Sequence, residues 1–156
     1  NQATRYVHIM TPYLILDDGM KDALQYAAKR GVDVKIIMPH IPDKKYAYLL
    51  ARTYYPELLK AGVQIFEYEP GFVHAKVFVS DDEKAAVGTI NLDFRSLYLH
   101  FECGVFLYQN QVIEAICKDY DATLKKCIPV TLETCRRYHW VGRKVGRLLR
   151  LIAPLM

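Results

Sequence analysis

The order of patterns in residues 1–70 constrains the fold more than any other feature. Short apolar runs that are typical of strands alternate there with stretches in which apolar residues recur at helical spacing. In chain order, the predicted strands and helices are 5–10, 17–31, 34–38, 43–62 and 63–68. Asp17 can cap the first helix and Asp43 the second, which Pro56 is expected to break or restart. This alternation predicts an α/β domain with parallel strands.

Beyond residue 70 the pattern changes to that of a hairpin. Residues 73–79 and 84–87 are predicted strands, joined by the polar turn Ser80–Glu83. A further strand at 102–108 and a helix at 111–126 follow. Because a hairpin adds antiparallel pairs, we expect an α/β fold with a mixed, mostly parallel β-sheet flanked by helices.

Basic residues are concentrated at the C-terminus. The net charge is +4, but residues 136–156 alone carry +6 and contain no acid, which leaves −2 for the remainder. Apolar residues recur there at helical spacing, opposite several arginines: Val141, Val145, Leu148, Leu149 and Ile152 against Arg136, Arg143, Arg147 and Arg150. We therefore predict a domain at 1–130 and a basic amphipathic segment at 131–156. The pattern leaves open whether the apolar face meets an anionic lipid surface or packs on protein.

Other features limit the classes of protein to consider. The chain begins with Asn1 rather than Met, so we expect it to be part of a longer protein. It has no signal-peptide pattern, and no apolar run reaches the 18 residues of a membrane span. Its four cysteines form no C-x-x-C pair and have no histidine at ligand spacing, so we expect no metal.

The stretch from Gly71 to Asp93 carries the chemistry. On a strand, His74 and Lys76 share one face, about 7 Å apart, and an imidazole beside an ammonium is suited to attack and hold a phosphate. Gly88 would let the backbone approach a ligand, and Asn91 adds an amide donor. Each residue alone has an ordinary structural explanation, turn formation in the case of Asp81. The combination points to phosphodiester chemistry.

These positions resemble the signature of the phospholipase D superfamily. H-x-K-x4-D, followed by G-[ST]-x-N, matches His74, Lys76, Asp81, Gly88, Thr89 and Asn91. Three further stretches resemble the C-terminal half of bacterial-type cardiolipin synthases: Thr11–Leu14, Pro39–Asp43 and Gly88–Glu102. The likeness extends over essentially the whole chain.

The resemblance implies a phospholipase D-like domain and a reaction. Two phosphatidylglycerol molecules would condense to cardiolipin and glycerol through a phosphohistidine intermediate, without cofactor or metal. The family uses two facing motifs, so the partner would be the other motif-bearing half or a second copy of this chain. The protein would be associated with an anionic bacterial cell membrane, or anchored in it through segments missing from this chain.

The resemblance also implies roles for single residues. Catalytic roles fall to His74, Lys76, Asp81 and Glu102, with Glu102 behind the histidine and Asp81 usually structural. Lys76, Thr89 and Asn91 would hold phosphate oxygens. The residues leave open whether His74 is the nucleophile or the general acid, and the resemblance favours the acid.

Two other functions remain as alternatives. One is a homodimeric phospholipase D-like phosphodiesterase or nuclease. Acidic residues near the hairpin in sequence argue against a nucleic-acid partner: Glu67, Glu69, Asp81, Asp82 and Glu83. The other is a membrane-binding fragment whose site is catalytically incomplete.

Overall fold

The computed structural model describes residues 2–155 and contains strands, helices and two short irregular turns. The strands are β1 Tyr6–Met10, β2 Asp33–Pro39, β3 Gln64–Tyr68, β4 Val77–Ser80, β5 Lys84–Gly88, β6 Gly104–Tyr108 and β7 Cys127–Val130. The helices are α1 Asp18–Lys29, α2 Lys45–Lys60, α3 Val112–Leu124, α4 Leu132–Arg137 and α5 Trp140–Leu149. A π-helical turn spans Arg95–Leu99, and a final 3₁₀ turn spans Arg150–Leu155.

The strands form one mixed sheet in the order β6-β5-β4-β1-β2-β3-β7. The first three strands are parallel, as the alternating pattern predicted. Within residues 2–155, however, the other four strand pairs are antiparallel, so the sheet is mixed but not mostly parallel. The difference arises because the hairpin β4–β5 and the following β6 add three strands on one side, and β7 returns against β3 on the other.

Helices cover both faces of the sheet. Ile9 and Ile36 pack with α1 and α2 in the larger core, which includes the buried Leu50. Met10 and Ile37 instead pack toward Tyr120 of α3. Because successive side chains of a strand point to opposite faces, a strand covered on both sides must be apolar throughout. This explains the apolar run of β2, which only Lys35 interrupts after the first residue of the strand.

The N-terminus of α1 confirms the prediction that Asp17 caps this helix, but the start of α2 differs from its prediction. The Asp17 carboxylate accepts a hydrogen bond from Met20 N at 2.6 Å. In contrast, α2 starts at Lys45 without a side-chain cap and continues through Pro56. Asp43 accepts a hydrogen bond from the Tyr13 hydroxyl instead, at 2.5 Å. Asp43 therefore bonds a residue that is distant in sequence instead of capping α2.

The C-terminal region attaches at the β3 side of the sheet. Strand β7 was not predicted, because it is short and contains Pro129, which a strand tolerates only at an edge. Helices α4 and α5 then pack against α2. The division at residue 130 stays a prediction, and Met156 lies outside the described residues. In the described part of the chain, no helix is both long and apolar enough to cross a bilayer.

Candidate active site at the carboxyl ends of the parallel strands

His74 and Lys76 lie just before β4, next to the point where β1 ends. Val77, the first residue of β4, pairs with Met10, the last residue of β1. The predicted strand 73–79 therefore starts four residues late, because β1 is followed by Pro12, which has no N–H for the ladder. Side chains still alternate as predicted, and Val77 packs toward α3. The pair thus sits at the carboxyl ends of the parallel strands.

The two side chains are in direct contact. Lys76 Nζ lies 2.9 Å from Nε2 and 3.0 Å from Nδ1 of His74, and it donates to the His74 carbonyl oxygen at 2.8 Å. The expected 7 Å describes positions along the backbone, whereas the long lysine side chain folds back over the ring. Lys76 is buried and His74 is exposed, so the imidazole is the more accessible group.

This contact affects the ionisation of both groups. Burial and the neighbouring ammonium of Lys76 lower the pKa of His74. Burial also lowers the pKa of Lys76, although the carboxylates of Glu102, Asp93 and Asp43 oppose the change. A lowered pKa favours the neutral imidazole, which has a free lone pair.

Gly88 and Thr89 contact the backbone at the start of β6, and Gly88 does not open a path to a ligand. A Cβ at Gly88 would lie 2.2 Å from the Cys103 carbonyl oxygen and 2.5 Å from Gly104 Cα. A side chain at position 88 would collide with this backbone, so glycine is required there for the close approach of β6. The predicted approach of a ligand is not the reason for the glycine. The Thr89 hydroxyl donates to Glu102 and accepts from Cys103 N at 2.9 Å.

Glu102 contacts Thr89 instead of the histidine. Among residues 2–155, no hydrogen bond joins Glu102 to His74, the contact that the resemblance led us to expect. The Thr89 hydroxyl lowers the pKa of Glu102, and the carboxylate in turn helps to keep Lys76 charged. In this arrangement Glu102 acts on the cation that would hold phosphate.

Asn91 is held by a loop tied to the end of β1. Leu92 N donates to Thr11 Oγ1 at 3.3 Å, and Ile15 N donates to Leu92 O at 2.7 Å. The Asn91 amide nitrogen donates to Ser96 Oγ at 3.1 Å, while its Oδ1 is buried without a partner. A buried, unpaired acceptor is unfavourable, so Oδ1 can accept from a ligand hydroxyl, whereas a phosphate oxygen would need the amide N–H that does not bond Ser96.

Asp81 lies away from this group, at the other end of β4. Its carboxylate accepts hydrogen bonds from the backbone N–H of Thr4, Arg5 and Tyr6, at 2.8–2.9 Å. Burial alone would raise the pKa of Asp81, but these backbone donors outweigh it and lower the pKa. Asp81 therefore fixes the start of β1 and does not touch the candidate catalytic pair.

Comparison with known proteins agrees with this geometry. The family model "Cardiolipin synthase, PLD-like domain" matches residues 1–126. The chain belongs to this family. It contains the histidine and lysine of the phospholipase D motif at the edge where the parallel strands end.

Curated members of the family resemble the whole chain. A cardiolipin synthase of Clostridium perfringens is 41% identical over 156 residues, and one of Geobacillus is 40% identical over 154. An uncharacterized protein of Streptococcus mutans is 57% identical over 156 residues. The chain spans 34%, 33% and 31% of the lengths of the Streptococcus, Clostridium and Geobacillus proteins, about a third in each case.

Solved structures share the phospholipase D-like fold. Nuc of Salmonella typhimurium, a phospholipase D family member, has a TM-score of 0.70 at 21% identity, with 83% of this chain and 84% of Nuc covered. Phosphatidylserine synthase of Haemophilus influenzae has a TM-score of 0.77 at 17% identity, with 99% and 42% covered. At these identities the likeness concerns the fold alone.

Two groups near this phospholipase D-like site had no predicted role. Asp43 and Lys44 lie close enough for their charges to act on the pKa of His74, but Pro39–Asp43 was singled out only for its resemblance. The buried Glu67 accepts a hydrogen bond from His40 at 2.8 Å and pairs with Arg52 at 3.3 Å. In the sequence, the second group could have been recognised from Glu67, an acidic residue within the apolar strand β3.

These positions change the charge argument against nucleic acid. Glu67 pairs with Arg52, while Asp81, Asp82 and Glu83 lie at the far end of the hairpin from His74. Three other carboxylates, those of Asp43, Asp93 and Glu102, act on Lys76 instead, so the site still has acidic neighbours. In residues 2–155, no group of three or more His, Cys, Asp or Glu side chains is arranged to hold a metal ion.

Proposed function

We propose that this chain supplies one of the two catalytic motifs of a phosphatidyltransferase that makes cardiolipin and glycerol from two phosphatidylglycerol molecules. The observation that carries the proposal is the accessible His74 imidazole in contact with the Lys76 cation, in a chain that resembles cardiolipin synthases over its whole length. The His74–Lys76 pair supports phosphodiester chemistry, and the relatives support the lipid substrate.

In the proposed first step, a ring nitrogen of His74 attacks the phosphorus of one phosphatidylglycerol. The bond between phosphorus and the oxygen of the headgroup glycerol breaks, and an acid on the other half protonates the departing glycerol alkoxide. The terminal hydroxyl of a second phosphatidylglycerol then attacks the phosphohistidine and gives its proton to that same group. Cardiolipin forms, and the free imidazole is regenerated.

The nearby donors would stabilise the charge that develops on the phosphoryl oxygens. Lys76 presents an ammonium beside the ring, and Thr89 and Asn91 lie on the loop that follows β5. Preorganised donors of this kind commonly provide the largest part of catalysis. Glu102 would keep Lys76 charged, the role its contacts support.

The ionisation of His74 bears on which role it takes. Its lowered pKa favours the neutral ring at neutral pH, the form a nucleophile requires. The imidazole is also the accessible member of the pair, with the Lys76 ammonium nitrogen 2.9 Å from Nε2 to hold the phosphate that it would attack. On this geometry we propose that His74 is the nucleophile, against the preference that the resemblance gave, and that the acid belongs to the other half.

An exposed apolar area beside the site supports a second half or copy as partner. Phe106 and Tyr108 lie on one face of the edge strand β6 and are each more than half exposed, and we call them the β6 surface. Gly104 of β6 pairs with Gly88, so this surface adjoins the motif. Large exposed apolar patches commonly mark interaction sites. We propose that the other half covers it at a bacterial cell membrane.

The test uses the longer natural protein with phosphatidylglycerol vesicles. We expect cardiolipin and free glycerol in equal amounts by mass spectrometry, and none from His74→Ala. Protein denatured in detergent at mildly alkaline pH, where the phosphorus–nitrogen bond persists, should carry a labelled phosphoryl group on His74 when the lipid phosphate is labelled. Phosphatidic acid without cardiolipin would indicate hydrolysis instead of transfer. Label on a histidine of the other half alone would assign the acid role to His74.

A further inference from the structure

Helix α5 packs inward through two glycines, which approach α2 closely, and through Leu149, which packs against the larger core. A Cβ at Gly146 would lie 2.6 Å from the Leu49 carbonyl oxygen and 2.7 Å from Thr53 Cγ2. One at Gly142 would lie 3.1 Å from Leu49 Cδ2. The glycine face therefore points inward, and this fixes the direction in which every other side chain of the helix points.

As a result, an apolar stripe along α5 remains exposed. Val141, Val145, Leu148 and Ile152, which we call the α5 stripe, are 42%, 41%, 67% and 45% exposed. Trp140 and Leu151 beside them are also exposed. A helix on the surface of a globular domain normally buries its apolar face. Here that face is only partly covered by the described residues, and Leu148 is the most exposed member of the α5 stripe.

The other flank of α5 is basic. Arg143, Arg147 and Arg150 line a cavity of about 370 Å³ between α5 and α2, together with Arg52 and Lys60. Glu57 is the acid at this cavity, and it pairs with Arg150 at 3.0 Å. The flank thus has a surplus of positive charge and attracts anions of lipid-headgroup size, and Lys144, which lies over the Trp140 ring, falls between this flank and the α5 stripe.

The α5 stripe and the β6 surface lie at opposite sides of the molecule. Strand β6 forms one edge of the seven-stranded sheet, whereas α5 packs on α2 toward the β3–β7 side. A partner that covers the motif at β6 therefore does not cover α5 by the same contact. Exposed apolar residues flanked by cations complement an anionic bilayer, which offers both acyl chains and phosphates.

We propose that α5 docks the protein on the surface of an anionic bilayer, with the α5 stripe inserted at the acyl boundary and Arg143 and Arg147 against the headgroup phosphates. This docking is independent of the proposed chemistry, because no residue of the His74 site takes part in it. It assigns to residues 140–152 a function in lipid attachment.

Trp140 provides the measurement, because it is the single tryptophan of the chain and lies on α5. The chain is titrated with vesicles of phosphatidylcholine alone and with added phosphatidylserine, an anionic lipid other than the proposed substrate. We expect a blue shift of the Trp140 emission with the anionic vesicles and none with the neutral ones. His74→Ala should give the same shift as the wild-type chain.

Two variants of matched exposure test the surface. Leu148→Glu places a carboxylate on the α5 stripe, and Phe106→Glu places one on the β6 surface, at residues 67% and 69% exposed. We expect Leu148→Glu to weaken vesicle binding about tenfold or more. Phe106→Glu should bind as the wild-type chain does. Thermal unfolding of both variants verifies that each is folded.

The charge is tested separately with Arg143→Gln and Arg147→Gln, each expected to weaken binding to anionic vesicles about fivefold. Absence of any shift, an equal shift with neutral vesicles, or equal losses in Leu148→Glu and Phe106→Glu would overturn the proposal. So would a loss in Leu148→Glu that appears only in assembly with a second protein chain. None of these outcomes depends on catalytic turnover.

Discussion

The two ends of strand β4 carry residues of the same motif in very different surroundings. At its start, Lys76 contacts the exposed His74, and both groups have lowered pKa values. At its end, the Asp81 carboxylate binds the backbone N–H groups of Thr4, Arg5 and Tyr6, where β1 begins. The first end has capacity left for a substrate, whereas hydrogen bonds within the fold satisfy the second. One motif therefore combines a reactive end and a structural end, and mutations should separate them.

Loss of the imidazole should have the largest effect on activity. His74→Ala in the longer protein should lower the rate of cardiolipin formation about 10³-fold or more, which corresponds to about 4 kcal/mol in the barrier. Stability should change little, because His74 is exposed. Steady-state rates and thermal unfolding measure the two effects. A variant that lost stability as well would show that the reactive end also supports the fold.

Lys76→Met should come next in size. Methionine preserves the length and apolar stem of the side chain but removes the cation beside His74, so we expect about a 10²-fold loss in kcat. Burial of Lys76 in the folded state means that methionine should not destabilise the protein. Lys84→Met, at the far end of the hairpin, is the matched control. Unchanged turnover in Lys76→Met would exclude a role in transition-state stabilisation.

At the structural end, Asp81→Asn should reduce stability by about 2–4 kcal/mol, because charge-assisted hydrogen bonds to the start of β1 are lost. Asparagine tolerates the positive φ of 56° at this position, so backbone strain does not confuse the result. Glu83→Gln, in the same turn, is the control and should be nearly neutral. Urea unfolding measures both variants, and activity per folded molecule should persist in each.

The same carboxylate predicts a dependence of stability on pH. The pKa of Asp81 is lowered from its ordinary 3.8, so its contribution is complete above that value and is lost as pH falls through the folded pKa. Wild-type protein should therefore lose more stability than Asp81→Asn between about pH 5 and pH 2. Parallel acid slopes in the two proteins would argue against this account.

Sequence patterns predicted the parts of the fold that depend on local periodicity. The first three strands, α1 with its Asp17 cap and the hairpin all follow from spacing of apolar and turn residues. Contacts made by tertiary partners were missed. The Asp43 carboxylate bonds the Tyr13 hydroxyl instead of capping α2. Strand β7 forms despite its short length and its proline because it pairs with β3 at the edge of the sheet.

At the site, the sequence predicted which side chains lie together in part, but not all of their contacts. Strand alternation placed His74 and Lys76 together, whereas the fold of the lysine side chain back onto the ring is set by packing. Glu102 was assigned to the histidine, yet it accepts from Thr89. In the C-terminal helix, apolar spacing identified the α5 stripe but not the face that packs on α2. Close approach there depends on Gly142 and Gly146, which an apolar pattern does not detect.

The smallest expected effect concerns the coupling of charges at the reactive end. If the Lys76 ammonium helps to depress the pKa of His74, Lys76→Met should raise that pKa toward its ordinary value, while burial keeps part of the depression. NMR titration of the His74 ring protons measures the change directly and needs no turnover. Lys84→Met should leave the titration where it is in the wild-type chain. A pKa of His74 that stays the same or falls in Lys76→Met would mean that burial alone keeps the ring neutral, and the reactive end would then contain two independent groups.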